Sequence, residues 1–278
     1  MGTLYCEFFR FEEKPFNVTP DTRYLYLSPV HEIVLKTLKY GIAERKGFLL
    51  LTGEVGTGKT ISLRALLNEL GNSVATSLIL NPQLSRLELI KTINKDFGRA
   101  LETNSIKEQI DNLNQFVLQC GQEGKNALVI IDEAQALSLQ AIEITRLLSN
   151  LETETHKLLQ ILLVGQPELE EKLARPELRQ LRQRIQIHSK LSPLDLEETE
   201  RYIVFRIQRA GPQSSVAFEK SAVSKIHRFS NGIPRLINTL CDFSLLAAYL
   251  KSSRVITKSI VEEAFRETRG TIPYVTHS

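Results

Sequence analysis

Residues 48–60 read FLLLTGEVGTGKT, and the fold turns on how this stretch is parsed. Phe48 to Leu51 is an apolar run of strand length, and Gly53 to Thr60 follow the spacing GxxxxGK[ST]. That spacing predicts a phosphate-binding loop. Glycines let successive backbone N–H groups curl around phosphate oxygens, where a Cβ would block both the curvature and the approach. Lys59 is set to reach the β- and γ-phosphates and Thr60 to put its hydroxyl on Mg2+, while the helix starting near Lys59 turns its positive end to the anion. The candidate nucleotide-binding set is Gly53, Glu54, Val55, Gly56, Thr57, Gly58, Lys59, Thr60 and Ile61. Leu63, Leu66, Leu67 and Leu70 follow at helical spacing, which supplies the strand–loop–helix context that the motif needs.

Upstream, Ser28-Pro29 opens a helix with proline in its first turn, and Val34, Leu35, Leu38 and Ile42 carry an apolar stripe to about Glu44. Downstream, residues 76–80 read as a short buried strand closing at Asn81-Pro82, and 84–97 and 106–121 as helices. Residues 127–131 are apolar throughout, as in a parallel strand buried on both faces. A helix over 137–151, a strand over 158–164, helical segments over 167–173 and 177–182, and a last strand over 185–188 complete the alternation. Strands alternating with helices imply right-handed βαβ crossovers and an α/β fold built on a mostly parallel sheet.

Beyond Ser192-Pro193 the pattern turns helical, over 196–210, 221–229, 234–250 and 258–268, with no convincing strand. The expected organisation is an aromatic arm over 1–30, an α/β nucleotide-binding domain over 31–190, a small all-helical domain over 191–270 and a flexible tail over 271–278. In the arm, Phe8, Phe9, Phe11, Phe16, Tyr24 and Tyr26 alternate with Pro15, Pro20 and Pro29. Aromatics at this density rarely stay in water, so the arm is expected to be irregular and to lie across the nucleotide-binding domain.

With 278 residues, 42% of them hydrophobic, the chain can bury a sizeable core. Its 35 basic and 32 acidic residues leave a net charge of +3, which does not by itself argue for nucleic acid or an anionic membrane. Cys6, Cys120 and Cys241 are scattered, without CxxC spacing, so neither a zinc site nor a disulfide framework is indicated and a reducing cytoplasm fits best. No stretch approaches 18 apolar residues, and the N-terminus carries early acids without a long apolar region, so no span or signal peptide is expected. Gly2 lacks the downstream Ser/Thr of a myristoylation signal.

Asp132 and Glu133 follow the apolar run 127–131, at the carboxyl end of a strand, where an α/β sheet binds its ligands. Asp132 is the expected Mg2+ ligand, and Glu133 the group that polarises the water attacking the γ-phosphate. Alone, the pair would be read as the cap of the next helix; beside a phosphate loop, the two halves of a metal site are the stronger account. Asn94-Lys95-Asp96-Phe97 approaches a guanine-reading motif but has Phe97 where an aspartate must sit. Asp132-Glu133-Ala134-Gln135 matches a helicase box, yet no second sheet domain follows to form a helicase channel.

These residues, with Phe8-Phe9-Arg10-Phe11, Lys14-Pro15-Phe16-Asn17, Tyr24-Leu25-Tyr26-Leu27-Ser28-Pro29, Gly165-Gln166-Pro167-Glu168-Leu169 and Asn231-Gly232-Ile233-Pro234-Arg235, give the chain a resemblance to AAA+ ATPases, and more narrowly to the ATPase domain of the ExeA/GspA family associated with type II secretion. The resemblance spans nearly the whole chain. It implies a P-loop NTPase core followed by a helical lid, with ATP and Mg2+ as ligands and ATP hydrolysis as the reaction. Gln166 would be the sensor of the γ-phosphate and Arg235 the lid arginine that reaches the phosphates. Asn81 could hold Glu133 inactive until a partner binds. One arginine among Arg179, Arg182 and Arg184, with Arg182 the first choice, would complete the site of a neighbouring subunit in a homo-oligomer, its planar guanidinium suiting a phosphoryl group. The plainer alternatives are an ordinary strand-to-helix turn at Gln166 and a solvated face for Arg179, Arg182 and Arg184.

The resemblance further implies a membrane-protein partner in a secretion or cell-envelope machine. Family members continue into a membrane helix and a periplasmic peptidoglycan-binding part; neither lies in these 278 residues, and a truncated piece and a standalone relative both stay open. The alternative is a DNA-associated AAA+ regulator of transposition or replication, with residues 179–190 or 251–254 on phosphates. Against it stand the balanced charge and the want of a terminal helix-turn-helix.

Overall fold

The computed structural model describes residues 4–19, 21–152 and 157–268, and the tail expected over 271–278 lies outside them. Its first elements are α1 (Leu4–Phe9), α2 (Pro29–Ala43), β1 (Phe48–Gly53), α3 (Lys59–Leu70), β2 (Val74–Ile79), α4 (Arg86–Asp96), α5 (Ile106–Gln122) and β3 (Asn126–Ile131). There follow α6 (Leu139–Leu148), β4 (Leu159–Gly165), α7 (Pro167–Leu173), α8 (Arg179–Arg182) and β5 (Ile185–Leu191). The C-terminal part holds α9 (Leu196–Ala210), β6 (Ala217–Phe218), α10 (Lys220–Ser230), α11 (Pro234–Leu250), β7 (Val255–Ile256) and α12 (Lys258–Glu267).

The described residues form two compact units, one drawn from residues 29–54 and 62–191, the other from residues 4–28, 55–61 and 192–268. In the first, five parallel strands run in the order β2-β3-β4-β1-β5. This is the α/β parallel sheet that the alternating pattern predicts. Its central strands are covered on both faces, and the two-residue period of a strand sorts their side chains. Phe48, Leu50, Val129, Ile131, Ile161 and Leu163 face a core shared with α4, α5 and α6. Leu49, Leu51, Leu128, Ile130, Leu162 and Val164 face a second core, shared with α2 and α3. Near-continuous apolar sequence in β1, β3 and β4 is the signature of this double burial.

Helix starts obey local chemistry. Ser85 caps α4 in a reciprocal capping box with Glu88, Ser138 caps α6 through the Ala141 N–H, and Pro167 stands in the first turn of α7. The Asn94 that resembles a guanine reader is buried in α4, where its amide donates to the Gln109 backbone carbonyl and Oε1 at 2.9 and 2.7 Å.

The second unit differs from expectation in two ways. Its helices α9 to α12 are joined by a short parallel pair, β6 with β7, where no strand was expected. Two residues each are too few for a periodic signal. The arm, expected to be irregular and to lie across the nucleotide-binding domain, instead forms α1 and buries Tyr5, Phe9, Phe11, Phe16 and Tyr24 in one core with Tyr202, Ile203, Leu240 and Leu245. The physical cause is Arg206, which is 6% exposed. It donates to the Pro15 and Asn17 carbonyls at 2.6 and 3.0 Å and lies over the Tyr24 ring, 4.7 Å from its centroid. No helix among the described residues is long and apolar enough to cross a membrane.

Candidate functional site

β3, β4 and β1 are parallel neighbours, so their carboxyl ends share one edge of the sheet. Gly53 and Glu54 leave β1 at that edge, Asp132 and Glu133 leave β3, and Gln166 leaves β4. Three candidates found separately in the sequence are thus brought together by topology.

The phosphate loop has the backbone its glycines permit. Gly56 and Gly58 adopt φ of 85° and 101°, in the region that side chains with a Cβ avoid. Thr57 is buried, and Lys59, at the start of α3, is only 6% exposed. Arg235 flanks the loop: its backbone N–H donates to the Gly56 carbonyl at 3.3 Å, and its side chain is exposed.

Asp132 is 3% exposed, and its N–H donates to the Ile79 carbonyl at 2.9 Å, which ties it to the end of β2. Glu133 is left-handed, at φ 51° and ψ 37°, and its N–H donates to Asp132 Oδ1. A non-glycine residue in this conformation is held by its surroundings and turns up disproportionately at functional sites. Its carboxylate Oε2 accepts Gln135 Nε2 at 2.6 Å and Gln166 Nε2 at 3.0 Å. Gln166 caps α7 without a side-chain capping bond, so its amide is spent on Glu133 instead. Asn81, expected to restrain Glu133, accepts the Gln83 N–H at 3.4 Å, and Glu133 is held by the two glutamines. Gln135 is the residue that sequence reasoning passed over. Its string reads only as a helicase box, although a glutamine two positions beyond a strand-end glutamate is the available signal. Lys172 fastens the segment by donating to the Gln135 and Leu137 carbonyls, and burial lowers its pKa.

The three arginines part company. Arg184 Nη1 donates to the Arg146 carbonyl, Ser149 Oγ and Asn150 Oδ1 at 3.2, 2.7 and 2.5 Å, at the end of α6. Arg179 and Arg182 are exposed, and their guanidinium groups have no hydrogen-bond or ion-pair partner among the described residues.

Among the described residues no group of three or more His, Cys, Asp and Glu comes together. The ligands expected from the sequence, the Thr60 hydroxyl in one unit and the Asp132 carboxylate in the other, are few and hard. This suits Mg2+, which keeps several waters and takes phosphate oxygens to fill its shell.

Comparison with known proteins gives the same fold. The AAA domain family matches residues 42–173. General secretion pathway protein A of Aeromonas hydrophila is 41% identical over 268 residues, covering 96% of this chain and 49% of that protein. The chain therefore spans about half the length of the curated relative it matches. Among solved structures, that of Drosophila ORC bound to DNA aligns with a TM-score of 0.70 at 16% identity, over 96% of this chain and 66% of that one. Cdc6p from Pyrobaculum aerophilum aligns with a TM-score of 0.65 at 18% identity, over 89% and 70%. At such identities the likeness is one of fold.

Proposed function

We propose a function on the premise that this chain is an AAA-domain protein of the P-loop NTPase fold, related over almost its whole length to general secretion pathway protein A. It is a Mg2+-dependent ATPase whose turnover is coupled to self-association and serves a secretion or cell-envelope machine.

Gly53 to Ile61 bind the phosphates, with Lys59 neutralising their charge. Thr60 and Asp132 offer oxygens to Mg2+, which when bound shields the phosphate charge from the incoming nucleophile. Glu133 orients and polarises the attacking water, Gln166 senses the γ-phosphate, and Arg235 reaches the phosphates from the helical unit. The observation that carries this reading is the Glu133 carboxylate, strained at its backbone and gripped by two amides on the sheet edge from which the phosphate loop departs. A carboxylate needed only as a helix cap has no use for such a grip.

Arg182 is the proposed group that completes a neighbouring subunit's site, with Arg179 beside it. Arg184 drops behind both, because its guanidinium is committed to the end of α6. The secretion role is supported by the relative's name alone, and the location at the cytoplasmic face of a membrane, through a protein partner, goes with it.

The test is ATP turnover measured against protein concentration, with Mg2+, with and without double-stranded DNA. Specific activity that rises with protein concentration and ignores DNA supports a self-associating ATPase. Strong stimulation by DNA replaces the envelope role with that of a DNA-associated regulator.

A further inference from the structure

The side-chain amide of Gln135 is held at both of its polar atoms. Its Nε2 donates to Glu133 Oε2 at 2.6 Å, and its Oε1 accepts the backbone N–H of Gln166 at 3.2 Å. Its own backbone carbonyl is pinned by Lys172 Nζ at 2.8 Å. Room for the amide depends on Gly165, since a Cβ there would fall 2.7 Å from Gln135 Oε1. One side chain thus links the end of β3 to the end of β4 and aims a donor at Glu133.

We propose that Gln135 is a positioning residue for ATP hydrolysis, which keeps Glu133 Oε2 occupied and leaves Oε1 to the attacking water. The proposal rests on the reading that Glu133 acts on that water. Its logic is a count of protons. An amide nitrogen carries two, and each glutamine spends one on Glu133. Gln166, the proposed γ-phosphate sensor, then has a second for a phosphate oxygen. Gln135 is anchored at its other end to protein backbone, so it holds the carboxylate whichever partner Gln166 takes. A short-range amide of this kind restrains the three side-chain torsions on which the direction of Oε1 depends, and small misplacements of a reacting group are costly in rate.

The experiment compares Gln135→Ala, Gln135→Glu, Glu133→Gln and the double variant Gln135→Ala/Glu133→Gln in the full chain. Affinity is read with a fluorescent ATP analogue and the chemical step by single-turnover hydrolysis. Gln135→Ala should bind ATP within about twofold of the unaltered chain and hydrolyse it about 10- to 100-fold more slowly. Gln135→Glu keeps the size and the acceptor for the Gln166 N–H but sets a second carboxylate against Glu133, so it should lose at least as much. In the Glu133→Gln background, Gln135→Ala should cost nothing further, because the group it positions is gone. A merely structural role would instead show as weakened binding or as a loss that adds in full to that of Glu133→Gln, and either overturns the proposal. Should Gln135→Ala fail to fold, unaltered turnover in Gln135→Glu overturns it as well. Normal turnover in Glu133→Gln would sink the assignment of Glu133 itself; loss there, with normal turnover in Gln135→Ala, sinks only the role of Gln135.

Discussion

A Cβ placed on Gly56 would lie 2.6 Å from the Cβ of Arg235, whose backbone N–H donates to the Gly56 carbonyl at 3.3 Å. The phosphate loop and the first turn of α11 are in van der Waals contact at this point, and glycine is what allows it. Gly56→Ala meets two penalties, since the position also holds φ of 85°, which costs a residue with a Cβ about 1–2 kcal/mol. Titration with labelled ATP should show weaker binding in this variant. Affinity equal to that of the unaltered chain would mean that the loop reaches its working shape without the Gly56 conformation described here.

Arg182 and Arg184 should respond oppositely to truncation. Arg184→Ala removes three hydrogen bonds that hold the end of α6, at a cost of about 1–3 kcal/mol, and should lower the thermal midpoint. Arg182→Ala removes an exposed group without such bonds and should leave the midpoint alone, while lowering turnover at protein concentrations where subunits associate. Full turnover in Arg182→Ala would pass the role to Arg179.

Arg206 is the buried bolt between the arm and α9. Arg206→Met would leave the Pro15 and Asn17 carbonyls without their donor and lose the cation above Tyr24, a change expected to cost about 3 kcal/mol or more. Limited proteolysis should then cut within residues 4–28 well before the sheet unfolds, and a protected arm would contradict this.

Tyr24 gives the same contact a pH signature. Burial, followed by its hydrogen bond to Glu13 Oε1 at 2.9 Å, pushes the Tyr24 pKa up to about 12. Because the folded value is raised, its contribution is whole below the unfolded value of about 10 and is lost as pH climbs through about 12. Burial also raises Tyr5, Tyr26 and Tyr202, so ultraviolet titration should show several late phenolates; the difference between the unaltered chain and Tyr24→Phe should be one phenolate with its midpoint near pH 12, and a midpoint near 10 would contradict this.

What the sequence made legible was local. The phosphate loop, the Asp132-Glu133 pair and the starts of α7 and α11 announce themselves because glycine spacing, strand-end carboxylates and proline in the first turn act over a few residues. The apolar run in β3 disclosed a strand covered on both faces for the same reason. Hidden were the features decided between distant segments. Aromatics in the arm said that it would be buried, but its partner depended on Arg206, some 190 residues on. Glu133 was recognisable from the end of its strand, whereas the grip on it needs Gln166 from the far end of β4 as well as Gln135 two residues on, and only the folded chain brings both amides within 3.0 Å. Asn81 was the better guess by position alone, and geometry moved the restraint to Gln135 and Gln166.

Hydrolysis of ATP at this site is proposed to run through Glu133. It is tested most directly by steady-state ATP turnover of the unaltered chain and of Glu133→Gln under Mg2+, with Lys59→Ala as the variant in which binding itself fails. Glu133→Gln should still bind ATP yet turn it over at least about 100-fold more slowly, the scale of loss expected when a group acting chiefly in the transition state is removed. Turnover of Glu133→Gln at the unaltered rate would contradict the account.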